Sequence, residues 1–151
     1  AVRAYEGGIE VERYLHNSRR VLSALGTSLC KRLQAIGVSV PQPSGAFYLF
    51  PCFSAFREDL RQRGISGSDE LCAQLLQDTG VAILPGTEFG HSPEQLTARL
   101  AFVDFDGARA LVEAETVPLE RQLPDDFIEM HCQRVVSAVD KLCDWLQKGR
   151  R

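Results

Sequence analysis

Apolar residues recur at helical spacing from residue 9 to residue 36. Val11, Leu15, Leu22, Leu25, Leu29, Leu33 and Ile36 form one stripe, while Arg19, Arg20, Lys31 and Arg32 take other positions. No proline interrupts the run and Gly37 supplies a stop, so the pattern predicts one long helix. Gly26 lies inside it at a cost of roughly 1 kcal/mol relative to alanine, which marks a place for a bend. After Gly37 the period changes. Val38 and Val40 alternate with a serine, Pro41 and Pro43 break the chain, and residues 46–50 read as a buried strand closed by Pro51. Residues 81–84 and 98–105 read as two further strands. Between the first strand and residue 81, residues 54–64 predict a short helix, and Ser68 starts another as its N-cap, with acids in the first turn and Gly80 as its stop. Asp106 caps a helix that runs from Gly107 into the region of Glu113. The last helix starts at Asp125 or Asp126. Ile128, Cys132, Val135, Val139, Leu142 and Leu146 share one face of it, with Cys132 as core filler and Trp145 on the flank. This order predicts an α+β fold with α/β-like layering, a small mixed sheet covered by helices. Its three segments are a long helix in 1–37, sheet and helices in 38–123, and a C-terminal covering helix in 124–151.

A chain of 151 residues fits one ordinary domain, and 44% hydrophobic with 25% charged residues is the balance of a globular protein. The formal net charge of -3 gives no electrostatic pull toward nucleic acid or an anionic membrane, and the arginines do not cluster with aromatic residues. No apolar run approaches a membrane-spanning length, and no basic-then-apolar signal opens the chain. The five cysteines (Cys30, Cys52, Cys72, Cys132 and Cys143) are scattered without a C-x-x-C pair, which argues against a disulfide framework or a zinc site. Buried thiols in a reducing cytoplasm are the expectation. His16, His91 and His131 have no ligand spacing and read as surface or loop residues. The start at Ala1, without methionine, fits either ordinary trimming or a part of a longer protein.

Candidate chemistry is sparse. Arg99 stands at the start of the strand that continues as Leu100, Ala101, Phe102 and Val103. Its guanidinium either leaves the sheet edge for solvent, pairing with a nearby acid, or reaches into a cleft, where its planar fork suits a carboxylate. The loop Pro85, Gly86, Thr87, Glu88, Phe89, Gly90 is no Walker loop, because no G-K-[ST] follows, and no G-x-G-x-x-G. Its glycines fit a tight connection with positive φ, or a close approach of backbone to another group. Gly45 reads as a turn and Phe47 as a core residue. No Ser-His-Asp set or carboxylate pair is arguable, and Asp104 and Asp106 read as a strand end and a helix cap.

The order of the pieces is more specific than any one of them. A long helix leads to "PSGAFYLFP", then to a helix and "GVAILPGTEFG", then to "ARLAFV". Over residues 8–123 this resembles the C-terminal, small domain of the class I/II, fold-type-I aminotransferases that depend on pyridoxal phosphate. The resemblance implies that Arg99 binds the α-carboxylate of an amino acid or 2-oxo acid, and that Phe47 lies beside the substrate entrance. It implies that the loop with Pro85, Gly86, Phe89 and Gly90 helps shape the closed site at a domain interface. The long first helix would join the small domain to a large one, which would carry the cofactor lysine, the aspartate on the pyridine nitrogen and most phosphate contacts. Lys31, Lys141 and Lys148 lack the lysine motif of the family, so no catalytic residue and no bound cofactor are expected in these 151 residues alone. The intact protein would be a homodimer that moves an amino group between an amino acid and a 2-oxo acid. The alternatives are a lyase or synthase of the same fold type, or a non-catalytic interaction module acting through residues 124–151. These last residues extend beyond the typical family ending.

Overall fold

The computed structural model describes residues 2–148; Ala1 and the last three residues of the expected C-terminal helix lie outside the described residues. A short helix α1, Val2–Glu6, precedes the long α2, Ile9–Ala35. The predicted stripe is buried only over its second half. Val21, Leu25, Leu29 and Leu33 are at most 2% exposed, whereas Ile9, Tyr14 and Leu15 are exposed because the helix outruns the body it packs on. Gly26 makes no break in α2. Its missing side chain admits neighbours instead: a Cβ there would stand 2.9 Å from Pro43 Cγ and 3.2 Å from Phe102 Cζ.

The sheet has three strands in the order β1-β3-β2, with β1 at Tyr48–Leu49, β2 at Leu84–Pro85 and β3 at Ala98–Ala101. Both pairings are antiparallel, so the sheet is not mixed. Tyr48 faces Ala101 and Leu49 faces Leu100 across β1 and β3, while Leu84 faces Arg99 and Pro85 faces Ala98 across β2 and β3. The strands are shorter than the apolar runs that predicted them. Ala46 carries φ of 57°, which a strand does not accommodate, and Phe102 is a fully buried core residue beyond the end of β3. Apolar character there reports burial, not ladder pairing. Two single bridges, Ser39 to Cys52 and Cys52 to Thr97, prolong the pairing, and the Phe102 N–H adds a backbone bond to the Phe47 carbonyl.

One contact sets the seat of β2 on β3. Gly86, directly after β2, donates its N–H to the Thr97 carbonyl at 2.8 Å. A Cβ on Gly86 would lie 2.0 Å from Thr97 Oγ1 and 3.0 Å from its carbonyl oxygen. Close approach is thus the reason for this glycine, whereas Gly90, at the end of the same turn, is there for its φ of 78°.

The helices follow local chemistry. A 3-10 turn, Ser54–Phe56, leads into α3, Arg57–Gln62. In α4, Ser68–Thr79, the N-cap is Gly67 rather than Ser68, which is itself helical and buried. The brace comes from Glu70, whose carboxylate accepts from the Ser66 N–H at 2.7 Å, the Ser66 hydroxyl at 2.8 Å and the Gly67 N–H at 3.3 Å. These bonds to Ser66 hold the Glu70 carboxyl below its ordinary range. Gly80 ends α4 in the left-handed region, as its position predicts. Asp106 caps α5, Gly107–Glu115, accepting from the Arg109 N–H at 3.0 Å. The C-terminus of α5 and the linker after it are held by Arg20 of α2. Its guanidinium donates to the carbonyls of Ala114, Val117, Pro118 and Arg121 at 2.7–3.3 Å, satisfying acceptors that a helix end leaves open.

The predicted last helix is two helices, α6 at Phe127–His131 and α7 at Gln133–Gln147, parted at Cys132 where φ and ψ are −122° and 25°. Asp126 occupies the N-cap of α6. Cys132 is fully buried as predicted, and Trp145, on the flank of the stripe, is buried too. Helix α7 packs chiefly against α2 and α4 rather than over the sheet, because α2 already lies on β1 and α4 on β2. All five cysteines are free, and burial raises the thiol of Cys72 to about 12 and those of Cys132 and Cys143 to about 11. Among the described residues no helix is long and apolar enough to cross a membrane.

Helices α4 and α7 are joined by a polar contact. Trp145 Nε1 donates to Asp78 Oδ2 at 2.7 Å, and the Arg63 guanidinium lies 3.8 Å from the indole centroid. The Trp145 bond, then Gln74, lowers the Asp78 carboxyl, with Arg63 adding a smaller pull. A carboxyl lowered on folding contributes stability that is present above its unfolded pKa, about 3.9, and is lost as pH falls through the folded value. Trp145 is the only tryptophan. Its emission should change in an acid step beginning below about pH 4, and Asp78→Asn should abolish that step; an identical step in the variant would assign it to other carboxylates. At Gly86 a methyl group must displace Thr97. Gly86→Ala should therefore destabilise the chain by about 1–3 kcal/mol in a urea titration. Gly107→Ala, where a Cβ meets nothing within 4 Å, should be neutral or stabilising. Equal effects of the two substitutions would contradict the close approach.

Candidate active-site face

Alternation along β3 separates two faces. Ala98 and Leu100 point into the core and are at most 4% exposed; Arg99 between them is half-buried on the opposite face. On β1, Leu49 joins the core while Tyr48 turns to the face of Arg99. The guanidinium carbon of Arg99 stands 4.4 Å from the Tyr48 ring centroid and 4.6 Å from that of Phe89. Ring faces attract the cation but accept few of its five N–H groups. Among the described residues no carboxylate pairs with Arg99, although Arg32, Arg63 and Arg134 all have acidic partners. The nearby acid of the surface-pair reading is thus not found for Arg99 among the described residues.

Phe89 arrives on the turn that follows β2. That turn is a single 3-10 helix, Gly86–Phe89, closed by Gly90 N–H to Thr87 O and His91 N–H to Gly86 O, both at 3.1 Å. Phe50 meets Phe89 edge-on at 5.7 Å between centroids and His91 at 4.8 Å. His91 Nδ1 lies 3.2 Å from Thr97 Oγ1, and the Thr87 hydroxyl lies 3.0 Å from both carboxylate oxygens of Asp69 in α4. Aromatic rings from β1 and the turn thus surround one unpaired cation on the outer side of the sheet.

Of the residues singled out from the sequence, the structure gathers Arg99, Phe89, Gly86 and Gly90, with Pro85 beside them in β2. Phe47 is one step removed. Its ring lies 4.4 Å from that of Tyr48, its carbonyl accepts from the Phe102 N–H at 3.1 Å, and it packs against the core. Tyr48, Phe50 and His91 were not anticipated. The signal for the first two was present: in Tyr48, Leu49, Phe50 a period of two puts both rings opposite a buried leucine.

The described residues do not fit the lysine-bound cofactor that the resemblance implies. Lys31 is exposed on α2 in the groove beside residues 119–125, Lys141 is exposed on α7 near residues 79–82, and Lys148 is exposed just past α7. None is enclosed in a polar pocket. Among the described residues no cluster of three His, Cys, Asp or Glu is placed to hold a metal ion. What this face can do is orient an anion, and no proton-transfer or covalent step is derived from it.

Known proteins place these features in a family. The sequence model of "Aminotransferase class I and II" matches residues 1–114. An aspartate aminotransferase of Pinus pinaster is 47% identical over 66 residues, which are 42% of this chain and 13% of that protein. An aspartate aminotransferase of Bacillus subtilis (strain 168) is 37% identical over 97 residues, or 64% of this chain and 23% of that protein. The structure of an aromatic aminotransferase from Pyrococcus horikoshii OT3 is similar in fold, with a TM-score of 0.51 at 21% identity, covering 89% of this chain and 25% of that one. The chain spans a quarter or less of the length of these three proteins. With the family match covering three quarters of its residues, this chain belongs to the class I and II aminotransferases.

Proposed function

We propose that this chain is the small, C-terminal domain of an aminotransferase that moves an amino group between an amino acid and a 2-oxo acid. Aminotransferases of this family depend on pyridoxal phosphate, and the cofactor supplies the electron sink that makes amino-group transfer possible. In this reading a large domain holds the cofactor and its lysine. Residues 1–37 then join the two domains, 38–123 form the small-domain body, and 124–151 form a C-terminal covering segment whose helices α6 and α7 pack against α2, with α7 also against α4. The intact protein is a homodimer. The exposed apolar residues Ile9, Tyr14 and Leu15 on α2 suit a helix that continues into contact with another domain.

The observation that carries the reading is Arg99. A half-buried guanidinium, resting on two aromatic rings with no acidic partner among the described residues, is prepared for a carboxylate from outside. Amino acid and 2-oxo acid share that carboxylate, so one arginine serves both halves of a transamination. Arg99 orients and moves no proton: fixing the carboxylate fixes the direction of the Cα–H bond, a geometric and entropic gain. The turn with Pro85, Gly86, Phe89 and Gly90 shapes the same cleft, and Phe47 supports it from behind Tyr48.

The test uses the full-length protein that carries this chain. Arg99→Ala should lower kcat/KM for amino donors by about ten- to hundredfold or more, tenfold to hundredfold being the worth of a single charge-assisted hydrogen bond. The absorbance of the bound cofactor should be unchanged. Arg99→Ala with wild-type kcat/KM would refute the assignment.

A further inference from the structure

We infer that Asp69 and Thr87 are positioning residues for Arg99, acting through the ring of Phe89. The inference rests on Arg99 as the carboxylate site, and concerns how the guanidinium is kept in place.

Phe89 is 39% exposed and meets only an edge contact with Phe50 and the Arg99 guanidinium among the described aromatic and cationic groups, so its place depends largely on the turn that bears it. At its first residue that turn is tied to β3, where Gly86 meets Thr97. One residue later it is tied to α4, where the Thr87 hydroxyl gives its single proton to an Asp69 carboxylate whose two oxygens stand equally near. Remaining bonds are internal to the turn or bind the residue after it, as His91 does with Thr97. Among the described residues Asp69 is therefore the one side chain outside the turn that hydrogen-bonds it between Gly86 and Phe89, while Phe50 touches the Phe89 ring edge-on. It is well founded for that task. It lies in the first turn of the twelve-residue α4, where a negative group is favoured by the helix dipole. The helix is anchored by Leu71 and Leu75, at most 1% exposed, and its start is braced by Glu70 on Ser66 and Gly67. A rigid path thus leads from a core helix through one hydroxyl to the ring beneath the guanidinium. Without the hydroxyl bond, a four-residue surface turn is free to swing Phe89 away, and Arg99 then rests on Tyr48 alone.

Ring currents make this measurable without any enzyme activity. In the 151-residue chain labelled with 15N-arginine, the side-chain resonances of Arg99, identified by Arg99→Lys, should be shifted by both rings, and Phe89→Leu should remove one part of that shift. Thr87→Val keeps the shape and deletes the donor; it should move the Arg99 resonances toward those of Phe89→Leu, while Thr87→Ser should restore them. Asp69→Ala should act like Thr87→Val, and serves if that variant does not fold. In the full-length protein Thr87→Val should raise KM for the amino donor by about two- to tenfold, part of the worth of the charge-assisted hydrogen bond it deletes because Tyr48 still holds the guanidinium, with kcat less affected. Arg99 resonances unmoved in folded Thr87→Val and Asp69→Ala would overturn the inference and leave the role of Arg99 standing. Resonances that move while Arg99→Ala keeps full kcat/KM would confirm the linkage and overturn only the carboxylate assignment.

Discussion

The contact of Gly86 with Thr97 fixes the geometry on which the outer face of the sheet depends. β3 is the middle strand, and its alternation decides that Leu100 enters the core while Arg99 leaves it. A side chain at residue 86 would hold β2 off that strand, and the turn carrying Phe89 would no longer reach the guanidinium. A backbone crossing thus sets where a cation and an aromatic ring meet. The two-residue strands are too short to do this by ladder bonds alone.

Behind the sheet the packing is helical. The second half of α2 receives β1, α5, α6 and α7, and Arg20 closes the end of α5 by binding four carbonyls. The start of the helix, up to Leu15, carries exposed Ile9, Tyr14 and Leu15, and burial begins at Asn17 and Val21. The chain therefore has a consolidated body, a helical arm with exposed apolar side chains and an outward face whose arginine has no acidic partner among the described residues. Those three properties suit one domain of a two-domain enzyme whose site lies between domains, where ligand sites commonly form.

Much of this was legible in the residues. The stripe of α2, the Asp106 cap and the stop at Gly80 follow from local chemistry, and the structure has them. Strand lengths were not legible, because Phe47 and Phe102 are apolar for the core and not for the ladder. The break at Cys132 was hidden, since a buried cysteine on the expected face gives no sign of a kink. At the site, glycine spacing signalled a constrained turn, but only tertiary structure separates Gly86, needed for closeness, from Gly90, needed for its φ. Tyr48 was readable from alternation. The bond from Thr87 to Asp69 was not, since eighteen positions part the two residues.

The most direct measurement is an experimental structure of the full-length protein with a bound amino-acid or 2-oxo-acid analogue. The carboxylate should lie about 3 Å from the Arg99 guanidinium nitrogens, with Tyr48 and Phe89 still against the cation. A carboxylate held by other residues, with Arg99 left resting on its rings, would contradict the role assigned to this face.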